Sequence, residues 1–404
     1  MHIKLYLIMT LFLWGACMVN RKIIKEINFK SEYKFSAEIE QKVKLDTVPW
    51  KYQISAADYA TKGDYKNALI HWDLAMTPGI RTLKPEQIDS INTKYVKTDA
   101  VEFIVDQAKK HQVVIINEAH HNSMHRAFTR SLLKRLYDIG YKNLGLEALG
   151  NGKFLDSAIH IRKYPLLHTG YYIKDPQFGN MVREALETGY RVFPYEVISN
   201  ANGKPREIEQ AQNIKRVIDS RPNEKFLIHC GFDHALEGIH NSWEKAMAGR
   251  LTEYTGIDPF TINQVVYSEK SKPGFNPVLL KALDLKRPTV LLDSTNNPLR
   301  YEREKSWMDI AVLHPITSYI HNRPHWLFDN ENKKVAIQLD KIKISFPVMI
   351  LAYRKGEDIA NTVPVDIIEV AAKSDACVLA LKKGEYQIVV TNGAQTFTFE
   401  KIVK

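Results

Sequence analysis

The chain has 404 residues, of which 45% are hydrophobic and 25% charged, and carries a formal charge of +10. That length allows two or three domains, and the composition is that of an ordinary globular protein rather than a fibrous or disordered one. Basic residues are scattered apart from the run "NRKIIKEINFK", and three cysteines without zinc spacing give neither a metal finger nor a disulfide framework, so nucleic acid is excluded as a partner.

In chain order, "MHIKLYLIMTLFLWGAC" comes first: one early lysine, an apolar run from Leu5 to Trp14, then small residues before Cys17. This is the layout of an export signal over residues 1–17, too short for a comfortable membrane span. "LWGAC" resembles a bacterial lipobox, which implies lipidation of Cys17 and a membrane anchored through that lipid. Met18, where an inner-membrane retention signal would have Asp, points to the outer membrane or cell surface; without the lipid the protein would be periplasmic. Residues 18–50 read as a polar tether. "ISAADYATKGDYKNALIHWDLAM" then sets two helical patterns around Gly63 and Asp64, a packed hairpin that resembles one tetratricopeptide unit and completes a segment spanning 18–98.

From residue 99 to 330 strands and helices alternate. Strands are predicted at 112–117, 142–147, 190–196, 225–230, 260–266 and 288–292, with a further one at 309–313, and helices at 123–139, 176–188, 205–220 and about 239–254. The fold class that follows is α/β, a mainly parallel sheet with helices on both faces. Residues 331–404 change to short strands and tight turns, as in "LKKGEYQIVVTNG", and predict a small, separable β-sandwich-like module.

The chemistry collects at strand ends. "VVIINEAHH" ends in Glu118 and His120, "NLGLEAL" in Glu147, "RVFPYEV" in Tyr195 and Glu196, and "FLIHCGFDH" carries His229, Asp233 and His234. Parallel strands bring their carboxyl ends to one edge, where ligands of open α/β sheets bind. Glu118 equally suits a cap on the following helix, and His229 a satisfied core histidine, whereas Glu147 at a buried strand end demands a partner. His121 and His125 are expected on the solvated face of helix 123–139. The candidate catalytic set is Glu118, His120, Glu147 and His234, with Tyr195, Glu196, His229 and Asp233 as substrate contacts.

"NEAHH…LLKRLYDIGYKNLGLEAL", "YYIKDPQFGNMVREALETGYRVFPYE" and "FLIHCGFDHALEG" together resemble the superfamily of erythromycin-esterase-like hydrolases, ChaN-like haem-binding lipoproteins and Tiki/TraB proteins, over residues 110–265. The resemblance maps its Gly-Glu-x-His turn onto Glu118 and His120, its second strand-end acid onto Glu147, and its Gly-x-x-His onto Gly231 and His234. Asn117 replaces the first glycine.

With no serine or cysteine in a nucleophile elbow, a covalent acyl-enzyme is disfavoured and water activation remains. In one scheme His120 is the base, Glu147 orients it and His234 stabilises the oxyanion. In the other, His120, Glu147 and His234 bind a divalent metal and Glu118 moves the proton. The expectation is an exported hydrolase of esters or amides, acting on a small-molecule or peptide-like substrate with no cofactor or one metal ion. The alternatives are a haem- or metal-binding surface lipoprotein and a pseudoenzyme serving an assembly.

Overall fold

The computed structural model describes residues 24–404; the export signal and the lipidation expected at Cys17 lie outside the described residues. Among the described residues no helix is long and apolar enough to cross a membrane.

Eight strands form the main sheet: β1 (Val96–Asp99), β2 (Val113–Glu118), β3 (Tyr141–Leu146), β4 (Arg191–Pro194), β5 (Lys225–Gly231), β6 (Phe260–Asn263), β7 (Thr289–Leu292) and β8 (Ile310–Leu313). Their order across the sheet is β1-β7-β8-β6-β2-β5-β3-β4. The run from β8 to β4 is parallel, whereas β1 and β7 pair antiparallel at one edge. β2 is buried at all six positions because helices cover both faces, which is why "VVII" shows no alternation.

Val114 and Ile116 of β2 face a core built with helices α5 (Ala100–Ala108), α6 (Ser123–Asp138) and α7 (Pro176–Thr188). Val113 and Ile115 face the opposite core, closed by α8 (Lys204–Asp219) and α9 (Met247–Thr255). α9 starts eight residues later than the pattern from 239 predicts. Glu237 and Gly238 pair instead with Trp307 and Ser306, and positive φ at Gly238 and Glu244 turns the chain before the helix can start.

The stretch before the sheet departs from the expected tether. α1 (Ser36–Leu45) packs Ile39 against Tyr59, Ala60 and Ala68 of the hairpin formed by α2 (Lys51–Thr61) and α3 (Tyr65–Met76). Gly63 adopts φ +79° at the hairpin turn, and Asp64 caps α3 by accepting from the Asn67 amide. α4 (Pro85–Lys94) then leads into β1. The weak apolar periodicity of 36–45 hid α1 from the sequence reading, since only Ile39 and Val43 are buried on it.

The C-terminal strands are β9 (Lys333–Ala336), β10 (Val348–Arg354), β11 (Asp366–Val370), β12 (Val378–Leu381), β13 (Gly384–Thr391) and β14 (Thr396–Val403). A five-stranded antiparallel sheet runs from the short strand Lys25–Glu26 through β14, β13 and β10 to β11, beside a β9–β12 pair. Side-chain alternation divides its strands. Val348, Ile350 and Ala352 point into the module's own core, while Met349, Leu351 and Tyr353 join the α/β core. Arg183 of α7 is fully buried and makes a bidentate pair with Glu357 at 2.8 and 2.7 Å. The boundary near 331 therefore marks a change of pattern and not a gap between cores.

Candidate functional site

The register of the sheet sets the site. Glu118 lies opposite Gly231 where β2 meets β5, and the Glu147 amide donates to the His229 carbonyl at 3.2 Å where β3 meets β5. Three strand ends thus open into one cleft of about 1120 Å³, lined among others by Glu118, His120, Glu147, Glu196, Arg206 and His229.

Glu118 is 2% exposed and is clamped by Arg126, whose Nε and Nη2 donate to its two oxygens at 2.6 and 2.7 Å. Arg126 also donates to the His120 carbonyl and pairs through Nη1 with Asp175, the cap of α7, at 3.0 Å. Burial by itself would raise the Glu118 pKa, but the Arg126 charge and hydrogen bonds hold it well below the usual carboxylate range. Glu118 therefore stays an anion, and His120 Nδ1 donates to its Oε1 at 3.1 Å. The imidazole stacks on Tyr172, with centroids 3.9 Å apart, and meets the edge of Phe232. With Nδ1 engaged and a fifth of its side chain exposed, the ring has Nε2 left for the cleft.

Glu147 forms the second half. Oε2 accepts from the Gly231 amide, and Oε1 accepts from Arg206 at 2.6 Å. Burial favours its acid form, yet His234, His120, Arg206 and the Gly231 amide outweigh it and bring the pKa down to about 2. A Cβ on Gly231 would lie 2.4 Å from the His120 ring and 3.4 Å from Glu147 Oε2, so a bare backbone is needed where the ring and the carboxylate close over β5. Arg206 also pairs with Glu196 and donates to His234 Nε2 at 3.0 Å, while His234 Nδ1 donates to Glu207 at 2.9 Å. Burial disfavours the imidazolium of His234, but Glu147 and Glu207 hold its pKa above the ordinary histidine value. A proton on Nε2 opposes the Arg206 contact, so the neutral ring bonded to Arg206 and the imidazolium facing Glu147 exclude each other.

Several expected residues sit elsewhere. His121 and His125 do not face solvent: both are buried, His121 under Trp72 of the helical hairpin and His125 against Ser268 and His314. His125 Nδ1 accepts from the Ala119 amide at 3.0 Å and its Nε2 meets Ser268, fixing the turn after β2. His121 stacks on Trp72 of α3 at 4.0 Å. Tyr195 is buried in the core on the far face, its hydroxyl donating to the His229 carbonyl. Asp233 turns away to Arg303 at 2.8 Å. His234 lies behind Arg206 and is absent from the cleft wall, whereas Glu196 and His229 line it. His229 is 1% exposed, and its Nε2 lies 3.5 Å from Glu118 Oε2 without a hydrogen bond. Burial draws its pKa down to about 4, so the ring is neutral at ordinary pH.

The metal set His120, Glu147 and His234 does not fit this arrangement. Both oxygens of Glu147 accept from Gly231 and Arg206, and both nitrogens of His234 are engaged by Arg206 and Glu207. Among the described residues no three His, Cys, Asp or Glu side chains are grouped to hold a metal ion.

Sequence reasoning missed Arg126, Tyr172, Arg206 and Glu207. Arg206 left a trace, since a cation in the first turn of a helix opposes the macrodipole and implies an anionic partner elsewhere. The rule that a buried strand-end acid needs a cation calls for such a partner of Glu118 without singling out Arg126.

The Glu147 pKa of about 2 lies below its ordinary 4.5, so its contribution to stability is complete above about pH 4.5 and is lost as pH falls towards 2. Thermal melts across that window should show Glu147→Gln losing less stability than the native chain on acidification. Parallel curves would disprove the depressed pKa.

No protein-family model matches the sequence, and no curated protein does. Among solved structures the chain is similar to the type III effector HopBA1, with a TM-score of 0.34 at 12% identity, covering 55% of this chain and 97% of that one. It is also similar to RRSP, a MARTX toxin effector domain from Vibrio vulnificus CMCP6, with a TM-score of 0.33 at 15% identity over 57% of this chain and 45% of that one. A structure described as bacterial protein toxins gives a TM-score of 0.32 at 14% identity over 55% and 48%. The chain spans less than half the length of the last two.

Proposed function

We propose that the chain is a hydrolase that activates water with His120 and cleaves an ester or amide, exported and anchored through Cys17. The observation that carries this reading is the His120 imidazole, tied through Nδ1 to a carboxylate that Arg126 keeps ionised, beside an open cleft. A histidine oriented in this way by an acid is a general base whose conjugate imidazolium the acid stabilises. His120 Nε2 takes a proton from water as the oxygen adds to the substrate carbonyl. The tetrahedral adduct then breaks its C–O or C–N bond as the His120 imidazolium returns that proton to the departing alcohol or amine. Arg206, a cation on the cleft wall, faces the oxyanion, and Glu147 positions that guanidinium. Glu118, not Glu147, is thus the acid that orients the base.

Cys230 borders the cleft but is 1% exposed, and burial pushes its thiol pKa well up, which removes the thiolate a cysteine nucleophile requires. The resemblance of the Glu118–His120, Glu147 and Gly231–His234 motifs to the erythromycin-esterase-like, ChaN-like and Tiki/TraB superfamily supports the same reading. The test is turnover of p-nitrophenyl esters and peptide anilides by the full chain. His120→Ala should lower kcat/KM by about 10²–10³-fold with little change in melting temperature. Activity that survives His120→Ala would end this assignment.

A further inference from the structure

Away from the cleft, a small cavity lies where α6, α7 and the C-terminal strands meet. It is lined by Arg130, Asn180, Glu184, Asn332, Arg354 and Lys382, among others, and has about 20 Å³ of room, enough for one water-sized body.

Arg130 is the unusual member. It is 3% exposed, and its buried Nε has no hydrogen-bond partner among the described residues. Its nearest anion, Glu184 Oε2, lies 3.9 Å from Nε and accepts from Lys382 at 3.1 Å. Burial lowers the pKa of Arg130 from the ordinary arginine value, but a guanidinium remains charged at any physiological pH. A cation whose buried Nε–H has no partner is costly unless an acceptor reaches it.

No hydrogen bond joins the Arg130 Nε to the polar groups around it, whose donors are turned to backbone carbonyls. The Asn180 and Asn332 amides donate to the carbonyls of Val365 and Leu327, and the Tyr386 hydroxyl donates to that of Lys382. Arg354 pairs with Glu187 outside the cavity. Arg130, Arg354 and Lys382 thus line a space that one small ion fills, with Glu184 as the one carboxylate in its wall. Glu187 and Glu331 meet Arg354 and Lys382 from outside it. We propose that this cavity binds a chloride-sized inorganic anion, held by the Arg130 guanidinium and enclosed by Arg354 and Lys382. The ion ties α6 to the C-terminal sheet, one helical turn beyond the arginine that clamps Glu118.

The test replaces sodium gluconate by sodium chloride at constant ionic strength while the melting temperature of the full chain is followed. Chloride should raise it by about 2 °C or more, and Arg130→Met should abolish the dependence. If Arg130→Met does not fold, Lys382→Met should shift the titration to higher chloride. Crystals soaked in bromide should show an anomalous peak against Arg130. Equal melting in both salts, or a water molecule in the cavity with bromide elsewhere, would overturn the proposal.

Discussion

Replacing Arg126 by methionine should cost the protein about 3–5 kcal/mol of stability, the range for removing one partner of a buried ion pair. Its guanidinium is 1% exposed and joins Glu118, Asp175 and the His120 carbonyl, so its loss strands two buried carboxylates together. Burial already pushes the Asp175 pKa up, against the pull of Arg126, so this carboxyl would be the one to take up a proton. Arg126→Lys should rescue little, because an ammonium cannot give Glu118 two parallel hydrogen bonds while reaching Asp175. Urea unfolding of the three proteins measures both effects. A methionine variant within 1 kcal/mol of the native chain would show that the triad contributes little.

A protein ending at residue 330 should fail to fold, contrary to the separable module that the change in sequence pattern suggests. Removing the last strands takes Met349, Leu351, Tyr353, Val363, Ile367 and Val389 out of the α/β core. At 1.5–3 kcal/mol for each large apolar side chain, the loss is on the order of 10 kcal/mol, comparable with the whole stability of a typical domain. Three buried cations also lose their anions: Lys62 its Glu369, Arg183 its Glu357 and Arg323 its Asp366. The truncated chain should be insoluble or lack a cooperative melt. A soluble product with a sharp transition would show that the two cores are independent.

The parallel sheet was legible because β-branched runs, proline helix starts and glycine stops each act over a few residues. Helix 176–188 is matched at both ends, from Pro176 to Thr188 with Gly189 beyond. The convergence of Glu118, His120 and Glu147 was legible too, since parallel strands put their carboxyl ends on one edge whatever lies between. What escaped the sequence depends on packing between distant segments. His125 looked exposed because its own helix is polar there; Ser268 and His314, far away in the chain, cover its ring. The acid that holds His120 was misassigned for a similar reason. Glu118 and Glu147 are equivalent as strand ends, and the choice between them rests on a ring orientation set by Tyr172 and Phe232.

The short strand Lys25–Glu26 pairs with Thr398 and Phe397 of the last strand, and Ser36 and Lys62 both bond Glu369. Segments more than 300 residues apart are therefore stitched into one sheet, and this sheet cannot close until β14 has left the ribosome. Synthesis from the N-terminus leaves the α7 face uncovered for most of translation, with its partner strands still unmade. A chain built in this way remains an unfinished fold until the residues of β14 have been made.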